Sequence, residues 1–213
     1  RLLVTESLFS MDGDFAPLKE LSELGRRYGA MGFVDEAHAI GVWGEGGKGV
    51  RGGAWDIVVG TLSKSLGSQG GFVTGSRELI DTLLNKARSF IYTTGLSPVC
   101  IAAARTALSV MQDDPALRSR VQRLAARLRE GFRQQGWDLL RSESHIVPIL
   151  LGSADRALAC ADHLQKGGIY APAIRPPTVP AGECRIRFSV TAEHSDEDIE
   201  TLLTVLDTYK EKR

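Results

Sequence analysis

Apolar positions in the first half of the chain fall into short unbroken runs, separated by stretches where they recur every three or four residues. Leu2 to Thr5 reads as a buried strand, and Met31 to Val34, Asp56 to Gly60 and Gly71 to Thr74 repeat that signature. Between the first two runs, Leu18, Leu21 and Leu24 keep helical spacing in a segment that starts at Pro17 and stops at Gly29. A further helix is predicted from Arg77 to about Arg88. Apolar runs alternating with amphipathic helices predict an α/β fold with a mostly parallel sheet covered on both faces.

The second half has a different rhythm. A helix from about Ser97 to Met111 is interrupted at Asp113-Asp114-Pro115, and a long charged helix follows from Ala116 to about Gln135. Strands are predicted at Ile146 to Leu151 and Cys184 to Val190, with a helix at Ala154 to Lys166. A last helix runs from Ser195, an N-cap followed by acids, to about Lys210. The change of rhythm places a domain boundary near residue 110, with residues 1–110 in a large domain and 111–213 in a small C-terminal α+β domain.

Composition narrows the function classes. Hydrophobic residues at 43% and charged residues at 24% are average for a globular chain, which excludes a disordered tail, a collagen-like rod and a disulfide scaffold. The 26 basic residues balance 26 acidic ones, which weighs against nucleic acid or anionic lipid as partner. Three cysteines without metal-ligand spacing read as free thiols in a reducing, cytoplasmic setting. No apolar run approaches the roughly 20 residues that span a bilayer. The chain opens on Arg1 and the apolar Leu2-Leu3-Val4, so it reads as starting in mid-fold, with any targeting signal outside it.

Ligands of open parallel sheets bind just beyond the carboxyl ends of the strands. Asp35 closes one such run, His38 follows in Asp35-Glu36-Ala37-His38, and Lys64 follows Asp56 to Ser63 and precedes a glycine-rich turn. A lysine withdrawn from water there has a lowered pKa and a nucleophilic amine, as Schiff-base chemistry requires. The cofactor that joins a lysine imine to a carboxylate on a ring nitrogen is pyridoxal phosphate. Asp35 alone reads equally well as a capping carboxylate, and His38 alone as a structural histidine; their joint placement with Thr61 and Lys64 carries the assignment. The same four letters spell the acidic box of a DEAH-box ATPase. That chemistry needs a G-x-x-x-x-G-K-[ST] loop, and Gly60-Thr61-Leu62-Ser63-Lys64-Ser65 has Ser63 where the second glycine belongs.

Three motifs then converge: Thr5-Glu6-Ser7-Leu8-Phe9-Ser10-Met11-Asp12-Gly13-Asp14, Val34-Asp35-Glu36-Ala37-His38 and Gly60-Thr61-Leu62-Ser63-Lys64. With them the chain resembles, along its whole length, the C-terminal half of the pyridoxal-phosphate α-oxoamine synthases of aminotransferase fold type I. Ala173-Ile174-Arg175-Pro176-Pro177-Thr178-Val179-Pro180 and Arg185-Ile186-Arg187 resemble the branch of that family that serves biotin synthesis.

The resemblance implies a large-domain and small-domain transferase that condenses L-alanine with an acyl-CoA, pimeloyl-CoA in that branch, with loss of CoA and carbon dioxide. It implies that Lys64 holds the cofactor and removes the α-proton, that Asp35 pairs with the pyridine nitrogen, and that His38 bonds the ring's phenolic oxygen. Ser10 then lies near the ring, Thr61 touches the phosphate, and Thr93 and Thr94 reach the phosphate in the partner subunit of a homodimer whose active site lies at the interface. Arg187 clamps the amino-acid carboxylate, a job suited to a planar guanidinium, and Thr178 contacts substrate. The alternatives within the resemblance are a glycine C-acetyltransferase and an inactive fragment, since the family's phosphate-holding helix and ring-stacking histidine have no counterpart in these residues.

Simpler roles remain for several of these side chains. Ser10 and Thr61 could cap turns. Arg185 and Arg187 alternate on one strand and share a face, which for Arg185 reads as a solvated sheet face. Pro176-Pro177 reads as a rigid extended linker.

Overall fold

The computed structural model describes residues 1–50 and 52–211. The chain divides into two compact units, one of residues 1–9 and 15–118, the other of residues 10–14 and 119–213.

The first unit is built on a four-stranded sheet. Strands β1 (Leu2–Glu6), β2 (Met31–Asp35), β3 (Ile57–Thr61) and β4 (Gly71–Thr74) lie in that order. The first three are parallel, in register from Leu2↔Met31 to Glu6↔Asp35 and from Phe33↔Ile57 to Asp35↔Val59; β4 runs antiparallel to β3. Parallel pairing puts the carboxyl ends of β1, β2 and β3 on one edge, and the chain leaves each strand there into a loop.

Helix α1 (Leu18–Arg27) makes the crossover from β1 to β2, entering through Pro17 and leaving through Gly29 at φ +60, a left-handed conformation that glycine adopts without strain. Leu18 on α1 and Val34 on β2 are buried together with Ala16, and Leu21, Val50, Trp55 and Val58 pack around them. The segment expected to be one helix from Arg77 to Arg88 is two, α2 (Arg77–Lys86) and α3 (Arg88–Ile91). Ala87 between them takes an extended ψ of 102°, which breaks the hydrogen-bond ladder. Helix α4 (Pro98–Asp113) starts in the manner its sequence announces, with Ser97 as N-cap and Pro98 in the first turn.

Helix α5 (Pro115–Gln134) carries the chain across the division between the units. In the second unit, β5 (Ile146–Gly152), β7 (Cys184–Ser189) and the two-residue β6 (Ala173–Ile174) form an antiparallel sheet in the order β5-β7-β6. Helices α5, α6 (Ala154–Lys166) and α7 (Asp196–Glu211) supply the apolar stripe that this sheet buries. Leu128, Phe132, Ile149, Leu164, Ile186 and Leu206 are among the large members of that core, each almost wholly withdrawn from water. Cys160 and Cys184 are buried in it, neither of them in a disulfide. Among the described residues no helix is long and apolar enough to cross a membrane.

Candidate active site

The carboxyl edge of the first unit's sheet gathers the residues singled out by sequence. Asp35 is the last residue of β2, half-buried. Its Oδ1 accepts a 2.7 Å hydrogen bond from the Ala37 amide, which fixes the carboxyl group and turns the chain toward His38. Among the described residues Oδ2 takes no hydrogen bond, so one acceptor oxygen stays available at the strand end.

Glu36 follows, fully buried, and sequence reasoning passed over it. Its Oε2 accepts from Ser7 Oγ at 2.6 Å and from the Val50 amide at 3.0 Å, and its own amide donates to Val59 O at 2.9 Å. One side chain thus joins the exit of β1, the end of β2 and the loop returning to β3. The Cα of Gly49, at φ +98, lies against that carboxyl group, where a Cβ would come within 2.6 Å of Oε2. A glutamate next to Asp35 carries no signal of this kind in sequence, because burial is decided by Ser7 and Val50, which are remote along the chain.

The loop after β3 is held by its hydroxyls. Thr61 Oγ1 donates to Gly70 O at 3.1 Å and shares a 2.7 Å hydrogen bond with Ser63 Oγ. The Leu62 amide donates to Gly70 O and the Ser68 amide to Leu62 O, closing the loop on itself. Ser65 Oγ donates to Ile40 O at 2.7 Å, which ties this loop to the turn that carries Asp35 and His38. Ser68 Oγ reaches Cys100 O on α4 at 2.6 Å. Gly41, at φ +85, leaves no room for a Cβ beside Ser65. The neighbouring strand ends and the Ser65–Ile40 bond therefore hold the Asp35–His38 turn and the Lys64 loop side by side.

Lys64 itself is exposed. That corrects the expectation that it is withdrawn from water: its loop projects from the open carboxyl edge of the sheet, and the hydrogen bonds just described fix its backbone without covering its side chain. Thr61 and His38 are half-buried, while Thr93 and Thr94, in the stretch between α3 and α4, are exposed.

In the second unit, Arg187 on β7 is half-buried and donates from Nη1 to Ser10 O at 3.0 Å. Arg185, expected on a solvated face, is 2% exposed and ion-paired to Asp12 and Glu183. The alternation along β7 placed both guanidiniums on one face, as expected, but that face meets residues 10–14 and not water. Pro176 and Pro177, expected to be extended, form a turn closed by a 3.0 Å bond from the Thr178 amide to Arg175 O. Thr178 is exposed on it. Asp14 Oδ1 is buried without a hydrogen-bond partner, and burial pushes this carboxyl's pKa above its usual value. Among the described residues no three His, Cys, Asp or Glu side chains are grouped to hold a metal ion.

Comparison with known proteins extends this picture. Residues 1–206 match the family described as aminotransferase class I and II. The chain is 48% identical over 204 residues, 93% of its length, to a putative 8-amino-7-oxononanoate synthase of Geobacillus kaustophilus. It is 47% identical over 206 residues to the 8-amino-7-oxononanoate synthase of Geobacter metallireducens. The chain spans about half the length of the curated relatives it matches, 52% and 53% in these two. Among solved structures, Sphingomonas wittichii serine palmitoyltransferase matches with a TM-score of 0.94 at 35% identity, over 99% of this chain and 55% of that one. A high-resolution structure of SPT holding PLP as an internal aldimine matches with the same score and identity. The 8-amino-7-oxononanoate synthase of Francisella tularensis matches with a TM-score of 0.86 at 26% identity, over 99% of this chain and 63% of that one.

Proposed function

From the premise that this chain belongs to the class I and II aminotransferase family, we propose that its protein is a pyridoxal-phosphate-dependent α-oxoamine synthase. Its reaction condenses L-alanine with an acyl-CoA, pimeloyl-CoA foremost, and releases CoA and carbon dioxide to give 8-amino-7-oxononanoate for biotin synthesis. The observation that carries this reading is the 48% identity to a putative oxononanoate synthase, joined to an aspartate and a lysine on the carboxyl ends of adjacent parallel strands. Residues 1–110 would be part of the cofactor-binding domain and 111–213 the small domain.

The donor set fits the cofactor. A free carboxyl oxygen on Asp35, an accessible amine on Lys64 and a hydroxyl-lined loop from Thr61 to Ser65 match a ring nitrogen, an aldehyde and a phosphate. When bound, pyridoxal phosphate supplies an electron sink next to the amino acid's α-carbon. The protein's own residues do the rest. Asp35 would keep the ring nitrogen protonated through Oδ2, and His38 would bond the ring's phenolic oxygen. Thr61 would bond the phosphate, and Ser10 would lie near the ring. Lys64 would hold the cofactor through Nζ and would take the substrate's α-proton on that same atom. Arg187 would present two parallel N–H donors to the substrate carboxylate. Thr178 contacts substrate.

We assign Thr93 and Thr94 to the partner subunit's phosphate in a homodimer. Phe90, Ile91, Tyr92, Leu96 and Val99 around them are exposed apolar side chains of the kind a subunit interface covers. A holoenzyme that sediments as a monomer would overturn that assignment. The three cysteines, none of them in a disulfide, support a cytoplasmic location.

Turnover of L-alanine with a panel of acyl-CoA thioesters, followed as CoA release, tests the function. Pimeloyl-CoA is expected to give the highest kcat/KM. A second reading, a synthase for another amino acid, is favoured by the 35% identity and 0.94 TM-score to serine palmitoyltransferase. Release of CoA only with serine and palmitoyl-CoA, or only with glycine and acetyl-CoA, would establish it in place of the first.

A further inference from the structure

Residues 10–14 group with the second unit although residues 9 and 15 on either side group with the first. The ends of this strap are joined by a bridge between Leu8 and Phe15. Its tip is fastened to the second unit's sheet at three places. Gly13 O accepts from the amides of Glu143 at 3.1 Å and Ser144 at 3.2 Å, and Gly13 sits so close to β5 that a Cβ would overlap Ile146 O. Ser10 O accepts from Arg187 Nη1. Asp12 Oδ1 accepts from Arg185 Nη1.

The two arginines, two residues apart on β7, are committed in different ways. Arg185 spends all three of its donor directions: Nη1 on Asp12, Nη2 on Glu183 Oε2 at 3.1 Å, and Nε on Glu183 O at 3.0 Å. It is 2% exposed, while the side chains of Asp12 and Glu183 are 45% and 53% exposed. A guanidinium so enclosed and saturated has nothing left to offer a ligand. Arg187 spends only Nη1, and its Nε–Nη2 edge carries no bond among the described residues. That edge is the fork that binds a carboxylate in bidentate fashion.

We propose that Arg185, through its ion pair with Asp12, is the positioning residue that holds the strap so that Ser10 O aims the free edge of Arg187 at the amino-acid substrate's carboxylate. The inference rests on the reading of Arg187 as the carboxylate clamp. Ser10 O restrains one nitrogen of Arg187, and the strap that carries Ser10 is held beside β7 by the Asp12–Arg185 pair. Loosening that pair leaves Arg187 present and charged but free to choose other rotamers, so each binding event must order it again.

Asp12→Asn in the holoenzyme is the test, because it keeps the shape of the strap and removes the charge that Arg185 meets. The KM for the amino acid is expected to rise about tenfold, with cofactor affinity and the KM for the acyl-CoA within about twofold of the parent. Amide hydrogen exchange at residues 10–14 is expected to accelerate while β5 and β7 keep their protection. Arg185→Lys, which keeps a cation for Asp12 but loses the Glu183 bonds, is expected to fall between parent and Asp12→Asn. An amino-acid KM unchanged in Asp12→Asn overturns the proposal. So does a parallel loss of cofactor affinity, both KM values and thermal stability, which would mark the pair as structural support alone. Arg187→Ala separates the two levels: if it leaves the amino-acid KM unchanged, the clamp reading itself fails, and if it raises that KM while Asp12→Asn does not, only the positioning role fails.

Discussion

Removing one amine should separate cofactor attachment from folding. Lys64 is exposed, so Lys64→Ala is expected to leave the thermal transition in place. The same variant is expected to lose the visible absorption of the lysine-bound cofactor and to lower kcat by at least ~10³-fold, since it removes the group proposed as both tether and base. An absorbance spectrum equal to the parent's would end the assignment. Gly49 is the contrasting position. Gly49→Ala places a methyl group against Glu36 at a backbone φ of +98, and is expected to destabilise the protein by about 2 kcal/mol in urea denaturation. Because Glu36 stands between Asp35 and His38 in the chain, cofactor affinity should fall with it. Lys64 and Asp35 were legible in sequence from strand-end placement; Glu36 was not, because its partners Ser7 and Val50 are brought to it by β-sheet pairing and a long loop.

Elements formed where local signals agreed. Strand β4 and helix α6 have the bounds their sequence predicts, and α6 has a clear reason: Ser153 Oγ accepts from the Arg156 amide, with Asp155 in the first turn. Ser153→Ala is expected to cost about 1 kcal/mol of stability, read from the urea midpoint, without changing either KM. Helix α7 begins with a reciprocal box, Ser195 Oγ accepting from the Asp198 amide and Asp198 Oδ2 from the Ser195 amide, which its sequence also announces. The failures are of a different kind. The break falls at Ala87 between Lys86 and Arg88, three good helix formers, so propensity could not locate it. The turn at Pro176-Pro177 depends on a bond from Thr178 to Arg175 that spacing does not reveal. Strand β6 is two residues long and exists only because β7 offers it an edge.

Over the molecule as a whole, charge placement predicts how the second unit responds to acid. Hydrogen bonds from Arg123 and Arg127 on α5 lower Asp196 on α7 from 3.8 to about 2. A carboxyl depressed in the folded state adds stability that is complete above 3.8 and disappears as pH falls through about 2. These groups are exposed, so the effect is small and screened by salt. Asp14 has the opposite sign. Burial raises it above 3.8, so its ionised form penalises the folded state at neutral pH, and that penalty vanishes as the pH falls toward 3.8. Asp14→Asn is therefore expected to be more stable than the parent at pH 7, with the difference shrinking toward pH 3.8. Asp196→Asn is expected to be less stable at pH 7, with its deficit persisting to lower pH. Urea midpoints measured between pH 2 and 7 decide both.

Strand runs, helical spacing and the punctuation of proline, glycine and serine are local properties, and they determined the order of elements and the α/β character of this chain. They also placed Asp35, His38 and Lys64 at strand ends, because the carboxyl end of a strand is a position in sequence before it is a position in space. Only the tertiary structure decided which side chains are closed off from water and which are left open. Arg185 is buried because residues more than 170 positions earlier fold over β7, and Lys64 is exposed because no part of the described chain folds over its side chain. Burial depends on neighbours distant in sequence, and periodicity gives a residue's face without saying what will cover it.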